Sequence, residues 1–135
     1  MARQIYARQM RFMLDSNIIV ALGLAADEAL RARMIEHDEG DFVISAVAYA
    51  EVIYGSARGK PPALDQLQAL IDEIPVLPFD EQAARAYATL PFKRASYDRL
   101  IAAHALSRDL TLVTDNERHF ADVPGLKVEN WTLPL

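Results

Sequence analysis

Arg11-Phe12-Met13-Leu14-Asp15-Ser16-Asn17 decides the fold: a short apolar run ends in an acid, and two polar residues with helix-start chemistry follow. The stretch reads as strand, tight turn, helix. Leu110-Thr111-Leu112-Val113-Thr114 is the clearest strand of the chain, and it too runs into an acid, Asp115, followed by Asn116. Between these two landmarks the pattern alternates. A helix is expected over 25–37, with Asp27 and Glu28 in its first turn, His37 near its end and Gly40 as its stop. A strand over 41–45 leads into a helix over 46–57, closed by Gly55 or Gly59. Pro61-Pro62 opens a helix over 63–73 that Pro75 ends. A brief strand at 76–77 precedes a helix capped by Asp80 and running to about residue 90. The next helix, 96–108, has Leu100, Ile101, Ala103 and Leu106 on one side, and 126–129 is the last strand. Strands alternating with helices are the pattern of a parallel sheet covered on both faces. The expectation is one α/β domain over residues 11–135, after an extension of residues 1–10 that lacks periodicity, with Met10 and Met13 as alternative starts.

The 135 residues are enough for a hydrophobic core without staples, and with 52% apolar and 24% charged residues disorder is not expected. There is no cysteine, so disulfides and thiolate zinc sites are excluded and a cytoplasmic location is expected. The longest apolar run, 18–26, is far short of the roughly 20 residues needed to span a bilayer. Arg3, Arg8 and Arg11 precede an apolar stretch as in a signal peptide, but Asp15-Ser16-Asn17 breaks its would-be core. The net charge of -5 argues against non-specific nucleic-acid binding, which rests on a basic surface. That objection weakens where carboxylates converge on divalent cations, because the ions reverse the local field.

In open α/β sheets chemistry collects at the carboxyl ends of strands, which is where Asp15 and Asp115 fall. Each acid also has an ordinary structural explanation. Asp15 can cap a helix, with Ser16 or Asn17 as rival caps. Glu51 interrupts Val47-Ala48-Tyr49-Ala50 and Val52-Ile53-Tyr54, and a buried Glu needs a partner or a metal unless it marks one solvent stripe. Asp98 lies in a first helical turn, where the dipole favours an acid, and Asp115-Asn116 can be a polar turn. Taken together, clustered carboxylates repel one another and must either protonate or hold a cation. Oxygen ligands without Cys point to Mg²⁺ or Mn²⁺ rather than Zn²⁺. His37, His104 and His119 show no metal or catalytic spacing, and no glycine-rich phosphate loop is present. Tyr49, Tyr54 and Tyr87 read as core or interface rather than as a stacking platform.

Met13-Leu14-Asp15-Ser16-Asn17-Ile18, Ala50-Glu51-Val52-Ile53-Tyr54-Gly55, the run Tyr97-Asp98-Arg99-Leu100-Ile101-Ala102-Ala103-His104 and the run Leu112-Val113-Thr114-Asp115-Asn116-Glu117-Arg118-His119-Phe120 stand in order, followed by Val123-Pro124-Gly125-Leu126 and Glu129-Asn130-Trp131. Together they resemble the PIN-domain ribonuclease toxins of the VapC type, from type II toxin–antitoxin systems. The resemblance covers residue 11 to the end, with Ser16 where the family commonly has Thr. It implies a PIN-like three-layer α/β/α fold with a parallel sheet of about five strands. It also implies a Mg²⁺-dependent (or Mn²⁺-dependent) endoribonuclease that hydrolyses RNA with metal-activated water and is inhibited by a VapB-like antitoxin. Asp15, Glu51 and Asp98 would be the catalytic metal-site acids, and the fourth position falls at Asp115 or Asn116. Arg99, Lys93, Arg94 and Arg118 are the candidates to hold RNA phosphates, although ordinary solvated surface explains each of them more simply. A homodimer through apolar helix faces, and a hetero-oligomer with the antitoxin, are implied as well. Two other functions compete. Haloacid-dehalogenase-like phosphatases use an aspartate at the same strand end but want Asp-x-Asp, where this chain has Asn17. A catalytically silent PIN-like binding module would have no need of Asp15, Glu51 and Asp98.

Overall fold

The computed structural model describes residues 10–94 and 96–133, so the expected extension at 1–10 lies, apart from Met10, outside the described residues. The elements follow one another as β1 (Phe12–Leu14), α1 (Ser16–Leu24), α2 (Glu28–Ile35), β2 (Phe42–Ser45), α3 (Ala46–Ser56), α4 (Leu64–Glu73), β3 (Val76–Leu77), α5 (Glu81–Tyr87), α6 (Tyr97–Ser107), β4 (Thr111–Val113) and β5 (Val128–Glu129). Short 3₁₀ turns at Glu39–Asp41 and Glu117–Phe120 complete the set. All five strands are parallel, in the order β3-β2-β1-β4-β5. The expected α/β architecture is the observed one.

The sheet is buried on both faces. Every residue of β1 and β2 is buried, as are Leu112 and Val113 of β4, so these strands have no solvent side and read as continuous apolar runs. Phe12 and Phe42, at the starts of β1 and β2, pack with Trp131, and Trp131 stacks on His37 at 5.1 Å and 9°. The face of α1 opposite the sheet is tight. A Cβ at Gly23 would lie 2.9 Å from the Pro62 side chain, so the close approach of this helix to the Pro61-Pro62 turn depends on glycine.

Several boundaries are set by particular residues. Helix α2 starts at Glu28, because the Asp27 carboxylate accepts from Leu30 N–H at 2.9 Å and caps it there, and Ala25 takes a left-handed conformation (φ 54°) ahead of it. Gly55 lies inside α3, and the turn after that helix falls at Gly59, with φ +90°. Helix α5 ends at Tyr87 and only single turns follow it, since Pro91 keeps the residue before it out of helix. No helix among the described residues is long and apolar enough to cross a membrane.

The strand order places the site. The chain leaves the central strand β1 toward β2 and β3, then crosses back to pair β4 on the other side of β1. Neighbouring connections therefore leave in opposite directions between β1 and β4, which opens a crevice at their carboxyl ends. Asp15 N–H donates to Val113 O at 2.9 Å across that junction.

Candidate active site

Asp15 leaves β1 and caps α1, so its helix-cap role is real. Yet its carboxylate accepts from the adjacent Ser16 N–H (2.8 Å), not from the second or third helical residue as an ordinary cap does. Its other oxygen accepts from the Thr114 hydroxyl at 2.8 Å. With 4% exposure it is an almost wholly buried acid. Burial pushes its carboxyl up, and Asp98 and Asp115 push it further; Thr114 and the Ser16 amide oppose them.

Glu51 is half-buried, midway along α3. Its Oε1 is buried with no hydrogen-bond partner. Burial raises its carboxyl, as do the charges of Asp15 and Asp98, against the Ser16 hydroxyl. Three acids from β1, α3 and α6 thus feel one another directly. Asp98, in the first turn of α6, is 31% exposed, and its Oδ2 lies 3.0 Å from His119 Nδ1. Asp115 is exposed and accepts from the Asn17 amide at 3.2 Å. Asn116 donates its backbone N–H to Thr114 Oγ1 (3.0 Å), and its side-chain amide meets His119 Nε2 at 3.1 Å. A neutral His119 that donates to Asp98 and accepts from Asn116 satisfies both contacts.

The helix carrying Glu51 is itself pinned. Ser45 caps α3 through Val47 N–H (3.1 Å), and its hydroxyl pairs with His104 Nδ1 of α6 at 2.8 Å. That buried pair ties the helix bearing Glu51 to the helix bearing Asp98. Burial lowers the His104 pKa, with Arg108 adding to the effect and Asp80 opposing it.

His119 escaped the sequence reading: Asn116 lies three residues before it, but Asp98 comes from a distant segment that no motif spacing links to it. Thr114 also went unnoticed, although a hydroxyl at a strand end beside an acid is a visible signal. Arg99 needs correcting as a phosphate ligand: it is buried and pairs with Asp122 at 2.5 Å. Lys93 and Arg94, by contrast, line a cleft of about 360 Å³ with Glu51, Asp98 and His119. Tyr49 packs against the core as expected, whereas Tyr54 is largely exposed.

The donor set is all hard oxygen, which suits a divalent cation that prefers carboxylates. The orphaned Glu51 Oε1 and the mutual repulsion supply the reason to hold one. Among the described residues no three Asp, Glu or His side chains, as placed, enclose an ion. This loose arrangement fits an ion that the carboxylates reach partly through waters of its own shell, as is usual for Mg²⁺.

The PIN domain family matches residues 12–126, which include all of these acids. The chain belongs to the PIN-domain family. Full-length relatives agree. This PIN chain is 33% identical to the tRNA(fMet)-specific endonuclease VapC of Shigella flexneri, over 91% of itself and 99% of that protein. It is 34% identical to the enzyme of the same name from Salmonella typhimurium, over 90% of itself and 98% of that protein. Among solved structures it is similar to VapBC2 from Rickettsia felis bound to a DNA fragment from their promoter (TM-score 0.79, 26% identity, 90% and 99% coverage). DNA-bound VapBC from Salmonella typhimurium is similar too (TM-score 0.75, 31% identity, 91% and 99% coverage).

Proposed function

We propose that this PIN chain is a divalent-metal-dependent endoribonuclease, the toxin of a toxin–antitoxin pair, active in the cytoplasm and held silent by a VapB-like antitoxin. The observation that supports it most is the convergence of Asp15, Glu51 and Asp98 at the β1–β4 crevice. Two of these carboxyls are raised, and one oxygen is buried without a partner. Stability gains nothing from such an arrangement, and a site that binds cations needs it.

Asp15, Glu51 and Asp98 would hold the ion, with Asp115 or Asn116 as the fourth position. A bound Mg²⁺ or Mn²⁺ supplies Lewis-acid activation of water and of the phosphate. The chain's own residues do the positioning. Thr114 and the Ser16 amide fix both oxygens of Asp15. His119 engages one oxygen of Asp98 and leaves the other to the cleft. Glu51 lines the cleft beside Asp98, where its carboxylate would help to orient the attacking water. In the hydrolysis the water oxygen bonds to phosphorus and gives up its proton, the P–O bond to the ribose breaks, and the departing ribose oxygen takes a proton from solvent. The Shigella and Salmonella relatives are named for tRNA(fMet), which makes that tRNA the first substrate to try. A second copy of the chain would use the apolar groove of Val47, Ala50 and Leu100 beside Glu51.

The test is expression followed by assay. Induction is expected to arrest growth, and co-expression of the adjacent antitoxin gene to relieve the arrest. Purified protein is expected to cut RNA with Mg²⁺ or Mn²⁺ and to stop with EDTA. Cleavage that continues in EDTA would sink the metal-dependent assignment. A chain that neither arrests growth nor cuts RNA is the silent module.

A further inference from the structure

An acidic enzyme that cuts a polyanion has to neutralise phosphates somewhere, and besides Lys60, which lines a second cleft with Glu51, the structure shows few places beside the acids where it can. Arg99 is buried on Asp122, Arg33 pairs with Glu36 and Glu129, Arg85 with Glu81, and Lys127 with Asp109. Among the described residues, Lys93 and Arg94 are in no ion pair, are exposed, and line the cleft that holds Glu51 and Asp98. Phe92 stands immediately before them with 84% exposure, the most exposed large apolar side chain described. Its loop is otherwise anchored, since Leu90 packs against the core. Tyr97, 60% exposed, lines the same cleft from the start of α6. The core has no use for Phe92, and two cations beside an exposed ring form the combination that binds unpaired nucleic acid: charge for the backbone, a π-face for a base.

We propose that Phe92, Lys93 and Arg94 form the substrate clamp of this cleft, in which Lys93 and Arg94 hold the phosphates next to the scissile one and Phe92 stacks an unpaired base. The clamp rests on the ribonuclease assignment and adds to it the residues that set substrate affinity. Charge favours RNA over a basic antitoxin tail as the occupant, because two cations would repel such a tail.

Binding is measured by fluorescence anisotropy with a short labelled single-stranded oligoribonucleotide, in an Asp15→Asn background so that the probe survives. Lys93→Ala/Arg94→Ala is expected to weaken binding and to make the slope of log affinity against log salt shallower by about 1.4, for two lost phosphate contacts. Phe92→Leu is expected to lose about 5- to 100-fold in affinity with the salt slope unchanged, while Phe92→Trp binds like the parent. In the otherwise native enzyme these losses fall in KM rather than kcat. Lys127→Ala, whose partner Asp109 precedes β4 at the opposite end of the sheet, is the control and is expected to match the parent. An unchanged salt slope, or a Phe92→Leu variant that binds like the parent, overturns the clamp. So does a set of variants that bind RNA normally but lose affinity for the antitoxin, since the surface then belongs to the protein partner. A native enzyme that cuts RNA while its variants match it defeats the clamp alone. A native enzyme that neither binds nor cuts RNA defeats the ribonuclease assignment itself.

Discussion

Because Asp15 is enclosed by β1, α1 and Thr114, its charge costs stability unless something neutralises it. The sign follows from its raised carboxyl. The unfolded chain loses that proton near 3.8, the ordinary aspartate value, and the folded chain at higher pH, so stability falls as pH rises through that window, and the full cost stands at neutral pH. Asp15→Asn is therefore expected to melt at the same temperature as the parent or higher without divalent ions. Mg²⁺ or Mn²⁺ is expected to raise the melting temperature of the parent and not of the variant. A variant that melts lower, beside a parent indifferent to both ions, would contradict this. Thr114→Val keeps the shape but leaves an Asp15 oxygen and the Asn116 N–H without their partner, at an expected cost of about 1–3 kcal/mol in urea unfolding. At this scale Glu51 was legible, since an acid in an apolar helix needs a reason. Asp15, Asp98 and Asp115 were not, because capping and the helix dipole explain each of them equally well in sequence.

The pairing of α3 with α6 is where local structure becomes site geometry. Ser45→Ala removes both a helix cap and the link to His104, and about 1 kcal/mol of destabilisation is expected from the cap alone. His104 gives this pair a pH signature. Its folded pKa lies below 6.5, so the unfolded chain binds the proton first. The stability from burying it neutral is complete above pH 6.5 and is lost as pH falls from there toward the depressed value. Urea unfolding of the native protein and His104→Asn at pH 7.5 and 5.5 is expected to show the advantage of the native side chain shrinking at the lower pH. An advantage that stays constant would assign the pH dependence elsewhere. The elements themselves were largely readable, because buried strands are short apolar runs and Asp80 and Ser96 announce helix starts. The errors came where one side chain outweighs propensity: Ala25 and Ala26 favour helix, but the Asp27 cap sets the start at Glu28.

Across the whole molecule the decisive fact is the strand order β3-β2-β1-β4-β5, which no local pattern encodes. Pairing β1 with β4 joins segments about a hundred residues apart, and that long-range step places Asp15 against Thr114. The ordered motifs pointed to it only through resemblance. The distribution of charge was equally hidden: a net of -5 describes the chain but not Lys60, Lys93 and Arg94 beside the acids. With a net charge of -5, the chain is expected to associate with the proposed antitoxin more slowly as salt rises, measured by surface plasmon resonance, if the partner's contact surface carries the opposite charge. The central claim is that one acid cluster at the β1–β4 crevice binds the ion and cuts RNA. Single-turnover cleavage of RNA at saturating Mn²⁺ by the native enzyme, Asp15→Asn and Asp98→Asn tests it most directly. Both substitutions are expected to lower the rate by about 100-fold or more, the scale of losing electrostatic stabilisation in an active site, while each variant remains folded. Native-like rates from either folded variant would contradict it.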